Sequence, residues 1–210
     1  MRHVRRGPEP PDLMAFKAAA NADWTPRYRD LDKKPVRAAL AREQGYLCGY
    51  CESRVGERDG DCHIEHVDPQ SVNPARALDY TNMLASCQGS DAQPPVPRHC
   101  GGARGNEQLA VTPFMEDCGA FFLYGSDGRI EAASEPAKHE AAKQTIRVLC
   151  LDIGRLKAAR RAAIEGALEG LEDLSADAWR TEAAFYDQPG ADDRLAPFCS
   201  AIQHVLLSFA

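Results

Sequence analysis

The 210-residue chain predicts an α+β fold, mainly α, on three observations. Beyond Pro136, apolar residues recur at helical spacing. Between Tyr46 and Asn106 the chain is loop-rich instead, with many Gly, Pro, Asp and Cys and only short extended pieces. Two short strand-like runs, Ala120–Tyr124 and Arg129–Ala132, flank Gly125-Ser-Asp-Gly128, a hairpin signal.

Element by element, the opening to about Pro11 reads as flexible, because Arg2, Arg5 and Arg6 are followed by Pro8, Pro10 and Pro11. A short helix is expected over Asp12–Ala20. Asp32 reads as the N-cap of a helix that carries Pro35 in its first turn, runs to about Gln44 and stops at Gly45. After the hairpin, Ile146, Leu149 and Leu151 mark the end of one helix. Asp152 is expected to cap a longer one, with Ile153, Leu156, Ala159, Ile164, Leu168 and Leu171 at helical spacing. Ser175–Tyr186 and Ala191–Ser208 read as two more helices, divided by Gln188-Pro-Gly. The organisation expected is an N-terminal helical segment (1–45), a cysteine-rich core (46–110), and a hairpin with a helical C-terminal region (111–210).

Hydrophobic residues make up 44% and charged residues 27% of the chain, ordinary for a soluble globular protein. No apolar run reaches the ~18 residues a membrane span needs. The basic start MRHVRRGPEPPDLMAF is not followed by an apolar signal core, so secretion is excluded and a cytoplasmic location is expected. That exclusion decides how to read the eight cysteines. In such a compartment they bind metal or sit buried as small apolar residues, and do not form disulfides. Residues 1–110 carry 15 Lys/Arg and 15 Asp/Glu, and residues 111–210 carry 10 and 16, which supplies the whole net charge of -6. If DNA is the substrate, this chain alone contributes little non-specific affinity, and a partner is implied.

Two thiols separated by two residues, in Cys48-Gly-Tyr-Cys51, form a knuckle that offers both sulfurs to one tetrahedral ion. Cys87 and Cys100 are the candidates to close the site, with a polar, Pro-rich loop between them. Zinc is the default ion for four thiolates. Cys62, Cys118, Cys150 and Cys199 read as buried thiols, and Arg155, Lys157, Arg160 and Arg161 as a solvated helix face. Between the two pairs lies Cys62-His-Ile-Glu-His-Val-Asp-Pro69. In a strand, alternation puts His63 and Glu65 on one face and Ile64 and His66 on the other. An acidic side chain holds a hard divalent cation, and a neutral imidazole beside it takes a proton from water.

The order CxxC, an acidic residue and His before a Pro, an Asn, then two further Cys resembles the HNH (His-Me finger, ββα-metal) endonucleases. Glu43-Gln-Gly-Tyr-Leu-Cys-Gly-Tyr-Cys-Glu52, His63-Ile-Glu-His66 with Pro69 and Ser71, Asp79-Tyr-Thr-Asn82 with Ser86-Cys87, and His99-Cys-Gly-Gly-Ala-Arg-Gly-Asn106 are similar to one branch. That branch is the HNH nuclease subunit of Septu and retron-associated anti-phage defence systems, and the similarity covers roughly residues 35–170. The resemblance implies a ββα-metal unit with a four-cysteine zinc knuckle. In it His66 is the general base, Glu65 the acidic ligand of a catalytic Mg or Mn, and Asn82 the residue that positions the His. Cys48, Cys51, Cys87 and Cys100 are the structural zinc ligands.

The final ligand of the family pattern usually follows the last zinc Cys, where this chain has Gly101. His63, His99 and Asn106 are the candidates to complete the catalytic ion's shell, and Arg104 replaces the usual Lys that faces substrate phosphate. The implied activity is hydrolysis of DNA to a 3′-hydroxyl and a 5′-phosphate, within a defence complex that contains an ABC/SMC-like ATPase. The rival readings are a zinc-knuckle module that binds nucleic acid or protein without catalysis, and an HNH nuclease that cleaves RNA or tRNA.

Overall fold

A computed structural model describes residues 1–87, 97–172 and 174–210. It is α+β and mainly α, with two small sheets. The loop expected between Cys87 and Cys100 falls largely outside the described residues.

Helix α1 spans Pro11–Ala18, with Pro at its first position, where the missing N–H costs nothing. Helix α2 spans Lys33–Glu43. Its N-cap is Asp32, whose Oδ1 accepts from the Lys34 amide at 3.0 Å. Val36, Leu40 and Ala41 bury one face of α2, and Gly45 ends it in a left-handed turn.

Strands β1 (His63–His66) and β2 (Met83–Ser86) pair antiparallel, with His63 opposite Ser86 and His66 opposite Met83. β2 is wholly buried. Its outer edge is closed by a side chain: Gln44 accepts from the Ala85 amide at 2.7 Å and donates to the Ala85 carbonyl at 2.8 Å. A buried strand edge that would otherwise be unsatisfied is thereby paired. The short helix α3 (Gly101–Arg104) follows, so two strands and a helix turn surround the Glu65-His66 pair.

Strands β3 (Phe122–Tyr124) and β4 (Ile130–Ala132) form the expected hairpin, although residues 118–121 are a 3₁₀ turn and not strand. Gly128 has φ +82°, and a Cβ there would run into the backbone of residues Lys157 and Arg161, so the hairpin docks directly on the helix that carries them both. Helix α4 is Pro136–Val148, α5 Gly154–Leu168, α6 Ala176–Phe185 and α7 Cys199–Leu207. One continuous apolar core draws on all three sequence segments, including Leu40, Leu84, Leu149 and Ile202.

Four expectations are corrected. The opening segment is held, not flexible: Val4 donates to the Pro113 carbonyl at 2.7 Å, and the Arg6 guanidinium pairs with Glu43 at 3.2 Å. Arg6 also lies 4.2 Å from the centre of the Phe114 ring, a cation–π contact. Asp152 does not cap α5; Ile153 occupies the cap position and no side chain accepts there. The last helix begins at Cys199 and not Ala191, because Pro197 disfavours helix before it and Phe198 adopts φ +58°. The extended stretch serves another purpose, since the Leu195 amide donates to the Gly45 carbonyl at 3.1 Å. Arg160 is buried, donating to the Gly128 and Leu151 carbonyls at 2.8 Å each, so only its helix neighbours are solvated.

Candidate metal and active site

The knuckle Cys48-Gly-Tyr-Cys51 is a tight turn closed by the Glu52 amide donating to the Cys48 carbonyl at 3.0 Å. Gly49 donates to the Ala85 carbonyl at 3.0 Å, which fixes the turn against β2. Cys87 follows β2 directly, and Cys100 precedes α3 with φ +56°, a conformation few non-glycine residues adopt. The four sulfurs lie within 4.8 Å of one another. Cys51 and Cys87 are 3.8 Å apart, which matches the edge of about 3.8 Å of a tetrahedron whose metal–sulfur bonds are ~2.3 Å. Hydrogen bonds from Cys100, Cys48 and Cys87 hold the Cys51 thiol well below its usual range, whereas burial pushes Cys100 well above. Four thiols packed this closely cannot all ionise without a cation among them, so the donor set fits a tetrahedral metal.

The other cysteines behave differently. Burial pushes Cys62 and Cys118 up to about 11 and Cys199 up to about 12, as for small apolar residues. Cys150 is the exception in exposure, being only partly buried.

His63 and Glu65 share one face of β1, with Nε2 and Oε2 3.3 Å apart. Neighbouring ligands of an octahedral Mg²⁺ with ~2.1 Å bonds are separated by about 3.0 Å, so this pair fits two adjacent positions on such an ion. The second carboxylate oxygen is otherwise engaged: Arg104 Nη1 donates to Oε1 at 2.6 Å. Tyr50 lies at the same place, with its hydroxyl 3.5 Å from Oε1 and 3.2 Å from Arg104 Nη1. A Cβ at Gly101 would sit 2.5 Å from Glu65 Oε2 and collide with His63 Nε2. The glycine that stands where a ligand was expected therefore leaves room for the His63–Glu65 pair.

His66 is 7% exposed. Its Nε2 lies 3.0 Å from the Ala77 carbonyl, which can only accept, so the hydrogen bonds assign the proton to Nε2. Nδ1 keeps its lone pair and receives the Gln70 amide at 3.0 Å. Burial pulls the imidazole below its ordinary 6.5, which favours the neutral base. Tyr28 stands edge-on to the ring at a centroid distance of 4.7 Å. Asn82, 1% exposed, accepts from the Asp68 amide at 2.7 Å and donates to the Asp68 carbonyl at 3.0 Å. The chain leaving β1 just after His66 is thereby fixed.

Three expected residues lie elsewhere. His99 packs on the cysteine cluster, its Nδ1 3.2 Å from Cys100 and 3.6 Å from Cys87, and does not join the Glu65 pair. Asn106 is exposed beyond α3, and no hydrogen bond joins it to Glu65 or His63 among the described residues. Arg104 does not face solvent for a phosphate. It is buried, and its remaining donors go to the Glu107, His66 and Val67 carbonyls at 2.8, 2.9 and 2.5 Å. Gln70 and Tyr28 carry no mark in their local sequence, and Tyr50, although inside the knuckle, shows no role there; only the fold brings all three to the pair.

Two curated relatives are similar to this chain. One is the retron Vc95 candidate HNH endonuclease of Vibrio cholerae serotype O1 biovar El Tor, 28% identical over 138 residues, which is 63% of this chain and 65% of that protein. The other is the Septu protein PtuB of Bacillus thuringiensis, 24% identical over 116 residues, 55% of this chain and 41% of that protein. The chain thus spans less than two thirds of the length of either relative. No family model matches. The chain resembles the HNH nucleases of the Septu and retron defence type. Among the described residues, no helix is long and apolar enough to cross a membrane.

Proposed function

We propose that this chain is a metal-dependent HNH endonuclease that hydrolyses DNA phosphodiester bonds as the effector nuclease of an anti-phage defence complex. The observation that carries the reading is the division of labour along β1. Glu65 turns one oxygen toward His63 while Arg104 anchors the other, and the adjacent His66 is a buried imidazole whose Nδ1 lone pair meets only the exchangeable Gln70 amide. The names of the two relatives support the same class.

In this reading β1, β2 and α3 form the ββα-metal unit, and Cys48, Cys51, Cys87 and Cys100 hold a structural zinc. Glu65 and His63 would hold Mg²⁺ or Mn²⁺, which supplies charge neutralisation at the phosphate and the leaving oxygen. With the Gln70 amide displaced by the incoming water, His66 Nδ1 takes that water's proton, and the Ala77 carbonyl steadies the imidazolium through Nε2. Asn82 keeps the segment after His66 in place by its two bonds to Asp68. The products are a 3′-hydroxyl and a 5′-phosphate. The zinc clip explains how strands of four residues each hold these groups.

Residues 111–210 carry 10 Lys/Arg against 16 Asp/Glu and expose Phe185, Leu207 and Phe209. That acidic and partly apolar surface is the proposed docking face for an ABC/SMC-like ATPase, in the cytoplasm. A second reading, a zinc-knuckle binding module without catalysis, draws on Gly101: among the described residues no third His, Cys, Asp or Glu joins His63 and Glu65 as a ligand group.

The test is incubation of plasmid DNA and of structured RNA with the zinc-loaded protein in Mg²⁺ or Mn²⁺, with and without a copurifying ATPase. Metal-dependent nicking of DNA supports the proposal. Cleavage of RNA alone moves the substrate class, and cleavage of neither under any condition favours the binding module.

A further inference from the structure

A cleft of about 380 Å³ opens beside His66, lined by Arg27, Tyr28, Arg29 and Gln70, together with Pro26 and the apolar residues around Ala77. Three of its walls touch the imidazole. The Ala77 carbonyl meets Nε2, the Gln70 amide meets Nδ1, and the Tyr28 ring stands edge-on at 4.7 Å. The nitrogen that carries the lone pair is therefore covered by a side chain of this cleft, and its exchangeable partner comes from that side.

The lining contains two arginines and no carboxylate, in a chain with 31 Asp and Glu. Arg27 pairs with no acid among the described residues, and Arg29, 73% exposed, makes only a 3.6 Å contact to its neighbour Asp30. Lys33 extends the positive edge, its ammonium 5.0 Å from the centre of the Tyr28 ring. Residues 24–37 hold five basic side chains against two acidic ones, within a protein of net charge -6. Arg104, meanwhile, has its guanidinium committed to Glu65, Tyr50 and backbone carbonyls.

We propose that Arg27 and Arg29 bind the phosphodiester backbone of the substrate strand, delivering it along this cleft to His66. The proposal rests on the nuclease reading of the same site. Two guanidiniums on an exposed turn supply planar, fork-shaped donors for phosphate oxygens, and Tyr28 between them lines the cleft that leads to His66. This placement also accounts for DNA recognition by a chain with no overall basic charge, because the positive field is confined to the edge of the site.

The experiment measures binding of a fluorescein-labelled 20-nucleotide DNA, single-stranded and duplex, by anisotropy without Mg²⁺ or Mn²⁺ over a range of salt. Wild type is compared with Arg27→Gln/Arg29→Gln and with the charge-matched control Arg155→Gln/Arg161→Gln, both pairs being exposed. The expected result is a tenfold or greater loss of affinity in the first variant alone. Its salt slope should also fall by about 1.4 to 1.8, the amount two lost phosphate contacts imply. Equal losses in both variants, unchanged affinity in the first, or no DNA binding by wild type would each overturn the proposal. A wild type that binds through these arginines yet never cleaves would refute the nuclease reading and leave the binding surface standing. Cleavage by the Arg27/Arg29 variant with unchanged KM would do the reverse.

Discussion

Arg104 Nη1 donates to Glu65 Oε1 at 2.6 Å, joining the buried guanidinium of α3 to the carboxylate of β1. The same side chain collects the carbonyls of His66 and Val67, so one residue fixes both the acidic group and the backbone that carries the base. Arg104→Met leaves a carboxylate only 12% exposed without its partner. Destabilisation of about 3–5 kcal/mol is expected, measured by urea unfolding. Arg104→Lys keeps the charge but not the fork, and should fold while cleaving on the order of a hundredfold more slowly.

Removing one corner of the sulfur cluster tests its structural role. Cys51→Ser should lose the bound metal, measured as zinc per chain, and should melt at lower temperature than wild type. Chelator added to wild type should produce the same shift, because an ion that binds only the folded state stabilises it by mass action. Cys62→Ser should retain the full metal content.

Gly101→Ala places a methyl group against His63 and Glu65. Overpacking of this kind costs about 1–3 kcal/mol. The expected outcome is a folded, zinc-loaded protein with cleavage strongly reduced and Mn²⁺ affinity weakened, read by titration. Retention of full Mn²⁺ affinity would remove His63 and Glu65 as the ion's holders.

The lowered His66 value sets a pH dependence with a definite sign. The folded protein binds this proton less readily than the unfolded chain, so the neutral form predominates above the ordinary 6.5 and persists somewhat below it. Cleavage should therefore be maintained at neutral pH and fall as pH drops through a value under 6.5. Folding stability should decline over that same acid window, and that decline should be lost in a His66→Ala background.

Much of the candidate site can be read from one chain because its chemistry is local. Cys48 and Cys51 announce a knuckle by spacing, and the period of a strand puts His63 and Glu65 on one face without further help. The Asp32 cap and the Gly125–Gly128 turn are likewise decided within a few residues. What sequence could not show depends on partners far along the chain. Arg104 looks free until Tyr50, Glu65 and three carbonyls surround it. Arg6 belongs to a segment that reads as loose until Glu43 receives it. His99 adjoins a cysteine in sequence, yet only the geometry shows that it serves that cluster. Arg27 and Arg29 carry no motif at all and gain meaning from the cleft that brings Tyr28 against His66.

The most direct test of the central claim is plasmid nicking by wild type and His66→Ala, both checked for equal zinc content and folding, in Mg²⁺ and in Mn²⁺ with any copurifying ATPase present. The account predicts metal-dependent nicking by wild type and its loss in the variant. Equal nicking by the two proteins would contradict the assignment of His66 as the base and place the activity elsewhere.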